Sequence, residues 1–142
     1  MLIKIKNNIE EINKVCDKAK KFCEKNDIPE KKYHDIVLIL DEIVTNVINY
    51  AYPDGNDHEF NLEIKKSGNY IIIRLVDNGI PFDPLISTDP DVSSSLKERK
   101  VGGLGIFIVK QLSEIVEYSR INGKNQLSVT VAIYNKEKNH GN

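Results

Sequence analysis

Asp41-Glu42-Ile43-Val44-Thr45-Asn46-Val47-Ile48-Asn49-Tyr50-Ala51-Tyr52 is the stretch whose periodicity organises the rest of the chain. At ~100° per residue, Ile43, Val44, Val47 and Ala51 join Tyr33 and Leu40 on one side of a helix that runs to about Tyr52. Asp35, Glu42, Asn46 and Asn49 fall opposite them, within roughly 60° of one another. By itself such a stripe is usually a solvated face. From Tyr33 to Ile64, however, 32 residues contain no Lys or Arg, although the chain carries 20 in 142. A solvated helix would normally use basic residues for i,i+4 pairing. Carboxylates and amides without them suit a hard cation with oxygen ligands, such as Mg²⁺.

Upstream, Leu2 to Lys6 alternates as a short strand. Ile9, Ile12, Val15, Cys16, Ala19, Phe22 and Cys23 then recur at helical spacing, after an Asn7-Asn8 cap and with Glu10 and Glu11 in the first turn. Asn26 and Asp27 end that helix, and Pro29 opens the next. Downstream of Pro53-Asp54-Gly55-Asn56, the alternation at Phe60, Leu62 and Ile64 and the β-branched run Tyr70 to Val76 read as a hairpin through Ser67-Gly68-Asn69. Residues 77–101 lack periodicity and read as a lid. A third helix opens near Gly103. Val116 to Arg120 and Leu127 to Tyr134 form a second hairpin through Asn122-Gly123-Lys124-Asn125. The expected fold class is α+β, a two-layer sandwich in which helices cover one face of a mixed sheet. One domain spans 1–135, and 136–142 is a polar tail.

Two further segments carry chemistry. Asp77-Asn78-Gly79 follows the most apolar strand. A carboxylate there can accept from a planar donor such as an exocyclic amine, and Gly79 lets the backbone approach a ligand closely. The same residues also make an ordinary strand-ending turn. Gly102-Gly103-Leu104-Gly105 opens the third helix, where bare N–H groups at a positive helix end suit an anion. A flexible hinge would use the same glycines. No Gly-Lys-Ser/Thr follows, and no strand directly precedes, so neither a Walker loop nor a dinucleotide fingerprint is present.

Composition narrows the classes. Net charge is −1, which gives no general affinity for nucleic acid or anionic membrane. No apolar run reaches the ~18 residues of a membrane span. The N-terminus lacks the pattern of a signal peptide, so the cytoplasm is the expected compartment. Cys16 and Cys23 lie about 10 Å apart along one helix, too far for a disulfide. They read as core thiols, and His34, His58 and His140 as surface residues.

The three segments, in this order, resemble the Bergerat-fold ATPases, the superfamily of gyrase, heat-shock-90 chaperones, histidine kinases and mismatch-repair proteins. Glu42-x-x-x-Asn46 looks like the N box, Asp77-x-Gly79 like the first glycine box and Gly103-x-Gly105 like the second. Asp41-Glu42-Ile43-Val44-Thr45-Asn46 with Ala51-Tyr52, and Pro81-Phe82-Asp83-Pro84, are most similar to bacterial anti-sigma-factor serine/threonine kinases. The resemblance implies ATP and Mg²⁺ as cofactors, with the metal on Asn46 and the adenine amine on Asp77. It implies a supporting hydroxyl from Thr130, phosphates wrapped by Gly102, Gly103 and Gly105, and Glu42 as general base. One of Lys97, Arg99 and Lys100 would offset γ-phosphate charge. It further implies a homodimer that phosphorylates a serine on a small antagonist protein and binds a sigma factor. A non-catalytic, ATP-gated binding module would need the same pocket.

Overall fold

A computed structural model of the chain describes residues 1–86 and 103–135. The elements follow in the order β1 (Leu2–Lys6), α1 (Glu11–Lys25), α2 (Glu30–Tyr50), β2 (Glu59–Ser67), β3 (Tyr70–Asp77), α3 (Gly103–Leu112), β4 (Ile115–Ile121) and β5 (Lys124–Ala132). One five-stranded sheet, in the order β1-β2-β3-β5-β4, carries the helices on one face. This is the expected α+β sandwich. The expected mixed sheet is corrected to a fully antiparallel one, because all four strand pairs run antiparallel. Strands β3 and β4 do point the same way, but β5 lies between them, and no parallel ladder forms among the described residues.

The core follows from the two periodicities. Ile3 and Ile5 of β1, Phe60, Leu62 and Ile64 of β2, Ile71, Ile73 and Leu75 of β3 and Leu127, Val129 and Val131 of β5 are buried at every second residue. Against them α1 lays Val15, Ala19 and Cys23, and α2 lays Ile36, Ile39, Leu40, Ile43, Val44 and Val47. Each large side chain so buried contributes about 1.5–3 kcal/mol of transfer free energy. Cys23 is a core thiol, which burial pushes up to about 11; Cys16 is half-buried.

Caps and turns fix where the elements meet. Helix α1 ends in a Schellman motif: the Ile28 N–H donates to the Cys23 carbonyl (2.9 Å) and the Asp27 N–H to that of Glu24 (3.3 Å). Asp27 takes the left-handed position at φ 56°. Asn122 (φ 52°) and Gly123 (φ 75°) make a two-residue turn of the mirror-image kind that matches hairpin twist. The second hairpin is therefore tighter than the four-residue loop expected, and β5 starts at Lys124.

Candidate active site

Burying a polar group costs free energy unless it is hydrogen-bonded or serves a ligand. Among the described residues three polar side chains are buried, Asn46, Asp77 and Asn125. All three line one pocket between α2 and the end of the sheet, beside Ile43, Phe82 and Tyr118. Asn46 is thus not on a solvated stripe; the helix turns it inward at 8% exposure, while Asn49 faces out.

Asp77 closes β3 at the floor of this pocket. Its Oδ1 accepts from the Gly79 N–H and from Asn125 Nδ2, each at 2.8 Å. No described residue donates to Oδ2. Burial pushes the carboxyl above the usual range, opposed by the Asn125 and Gly79 donors and by the Arg120 cation. The result is a carboxylate with one oxygen filled and the other available, beside the aromatic ring of Phe82 and the apolar Leu75 and Leu127. That suits a flat heterocycle with an amino group.

Gly79 is required here for space. A Cβ on it would lie 2.6 Å from the Ala51 Cβ and 2.8 Å from the Ala51 carbonyl carbon. The end of α2 and the loop after β3 are in direct backbone contact, with the Ile80 N–H donating to the Ala51 carbonyl at 2.9 Å. Because backbone cannot yield as a side-chain tip does, Gly79→Ala is expected to destabilise the fold by about 1–3 kcal/mol. Urea unfolding would measure this.

Glu42 lies one turn before Asn46 and is half-buried. Its carboxylate packs against Gly105 in the first turn of α3, so close that a Cβ there would sit 2.8 Å from Glu42 Cδ. Burial, then the neighbouring Asp41 charge, pushes the Glu42 carboxyl up. A raised carboxyl is better matched to proton transfer near neutral pH. Here the clash would fall on the tip of a flexible side chain. Gly105→Ala should therefore leave the thermal midpoint unchanged or slightly raised, since Ala favours helix. It should also displace the Glu42 carboxylate and so lower any reaction that needs it.

For a divalent cation the donor set is sparse. Among the described residues no three His, Cys, Asp or Glu side chains cluster. The amide oxygen of Asn46 fits Mg²⁺, which commonly takes one or two protein oxygens and completes its shell with phosphates and water.

Thr130 requires a correction. It pairs with Ile72, five rungs from the Asp77–Asn125 pair, roughly 17 Å along the strand at ~3.4 Å per residue. It also faces away from Asn125, Leu127, Val129 and Val131. Asn125 holds Asp77 instead. The tight Asn122-Gly123 turn was the signal for it, since it carries the alternation at 127, 129 and 131 back to 125. His58 is likewise no free surface residue. It stacks on Tyr52 with centroids 4.2 Å apart, and its Nε2 lies 2.9 Å from Asp54. The Tyr52 hydroxyl, pushed up to about 12 by burial, donates to Asn78 Oδ1 at 3.1 Å. His34 is exposed beside Glu30, as expected. Gly103 begins α3. Gly102, Lys97, Arg99, Lys100 and His140, and most of the expected lid, lie outside the described residues.

The sequence profile of the histidine kinase-like ATPase domain matches residues 5–131. The chain belongs to that family. Within it, the chain is 25% identical over 95 residues to the serine/threonine-protein kinase BtrW of Bordetella bronchiseptica, 67% of each chain. It is 27% identical over 108 residues to the serine-protein kinase RsbW of Listeria monocytogenes, 73% of this chain and 67% of that one. A crystal structure of the SiaB-SiaC complex from Pseudomonas aeruginosa shares the fold, with TM-score 0.57 at 11% identity over 92% of this chain and 88% of that one. The sandwich described above is thus the histidine kinase-like ATPase fold, and kinases are among its relatives. None of the described helices is long and apolar enough to cross a membrane.

Proposed function

We propose that this chain is an ATP-dependent protein serine/threonine kinase of the partner-switching kind, which phosphorylates a serine on a small antagonist protein. The observation that carries this is the placement of Glu42. Its carboxylate rests on Gly105 in the first turn of α3, one helical turn along α2 from Asn46, and Asn46 lines one pocket with the Asp77 acceptor. A nucleotide whose amine meets Asp77 Oδ2 would run its phosphates toward Asn46 and the start of α3, where N–H groups favour anions. Mg²⁺ on Asn46 would neutralise charge on the phosphate oxygens. The kinase names of the relatives at about a quarter identity support the same reading.

In the transfer step the serine Oγ forms a bond to the γ-phosphorus while the bond from that phosphorus to the β–γ bridging oxygen breaks. ADP departs, and the serine proton passes to Glu42. Phe82, Leu75 and Leu127 would exclude water around the adenine ring, while Asn46 and the turn at Gly105 would hold the phosphate end. A sigma factor as second partner, a homodimer and a cytoplasmic setting belong to the same proposal, and neither nucleic acid nor membrane is among its partners.

The test is transfer from γ-labelled Mg·ATP into a candidate antagonist protein and into host-cell extract. A single small labelled protein bearing phosphoserine is expected. ATP binding without any labelled product would point instead to the ATP-gated binding module.

A further inference from the structure

Asp77, Asn125 and Arg120 occupy one rung across β3, β5 and β4. Asn125 is 4% exposed, and its amide is fully engaged. Its Nδ2 gives one proton to Asp77 Oδ1 and the other to the Ile80 carbonyl, each at 2.8 Å. Its Oδ1 accepts from Arg120 Nη1 (3.1 Å), from the Phe82 N–H (3.3 Å) and from the Tyr118 hydroxyl. The orientation of the amide is settled by its partners. Guanidinium and backbone N–H only donate, while carboxylate and carbonyl oxygens only accept. Arg120 adds a second tie, from Nη1 to the Gly79 carbonyl at 2.9 Å.

The geometry points to Asn125, aligned by Arg120, as the residue that sets the base preference of the pocket. It pins one oxygen of Asp77 and so presents the other as a bare acceptor. The inference rests on Asp77 being the adenine acceptor. A buried carboxylate without such a clamp can rotate, or take up a proton and then donate. A donor at that point would meet the O6 of guanine as well as a bare oxygen meets the amine of adenine. The Asn125 amide opposes both: its N–H holds Oδ1 in place, and hydrogen bonding to the charged form favours the ionised carboxylate, which leaves Oδ2 an acceptor. Asn125 is therefore a positioning residue, acting on the base through Asp77.

The experiment is calorimetric titration of the whole chain with Mg·ATP and Mg·GTP, comparing wild type, Asn125→Ala and Arg120→Ala. Wild type should prefer ATP. Asn125→Ala should cut the ATP-to-GTP affinity ratio roughly tenfold or more, and Arg120→Ala about threefold, with the loss falling mainly on ATP. A merely structural role would weaken both nucleotides alike, and an unchanged ratio in the folded variants overturns the inference. Arg120 is exposed, so Arg120→Ala decides alone should Asn125→Ala fail to fold. Wild type without ATP preference would instead refute the adenine reading of Asp77, and this inference with it.

Discussion

Asp77→Asn is expected to weaken ATP binding by roughly 5- to 150-fold while leaving GTP binding unchanged or improved, the range set by about 1–3 kcal/mol for a mismatched buried polar group. The direction follows from two distances. The Gly79 N–H and Asn125 Nδ2 both donate to Oδ1 at 2.8 Å, so an Asn at position 77 must keep its oxygen there. Its NH₂ then occupies the place of Oδ2 and faces the pocket. Two donors meet where the adenine amine lies, whereas guanine presents an acceptor. Because the volume hardly changes and both internal hydrogen bonds survive, thermal stability should move little. Equal losses for ATP and GTP would show that Asp77 does not read the base.

Glu42→Gln is expected to lower phosphoryl transfer by about 10²- to 10⁴-fold, the contribution of a positioned base, with ATP affinity nearly unchanged. The loss should fall on kcat rather than KM, because the amide keeps the shape but cannot take the serine proton. Stability gives a second readout with the opposite sign. Burial raises the Glu42 carboxyl in the folded chain, so the folded state binds this proton more tightly than the unfolded one. That favourable contribution is complete below the ordinary Glu range and is lost as pH rises through the elevated folded value. At neutral pH the ionised Glu42 therefore costs stability, and Gln removes that cost. Thermal melts at pH 7 should show the variant equal to or above wild type, with the difference vanishing in acid. Transfer at the wild-type rate would remove Glu42 from the base role.

The parts of the fold legible in sequence were those set by local periodicity. The buried face of α2 follows from spacing at 3.6, and β2, β3 and β5 from alternation at 2. Glu42, Asn46 and Asp77 can be singled out by a polar side chain, and Gly79 and Gly105 by the lack of one, each at a fixed offset from an element end. What was not legible depended on register. The two-residue turn at Asn122-Gly123 starts β5 at Lys124 rather than Leu127, which puts Asn125 inside the strand. The pairing of β5 with the distant β3, which local pattern does not contain, then sets Asn125 against Asp77 and Thr130 against Ile72. The inward turn of Asn46 was hidden for a related reason. Its burial comes from the sheet end and the Phe82 loop folding over α2, and a helical wheel does not contain that contact. The antiparallel sheet likewise depends on where β5 inserts, which the order of elements along the chain leaves open.

The distance from the adenine N6 to Asp77 Oδ2, in a crystal of the chain with Mg²⁺ and a non-hydrolysable ATP analogue, tests the proposed site most directly. About 2.7–3.2 Å is expected, a hydrogen bond, with Asn46 Oδ1 on the metal and Glu42 facing the γ-phosphate. A base lodged away from Asp77, or a triphosphate that does not approach Asn46, would contradict it.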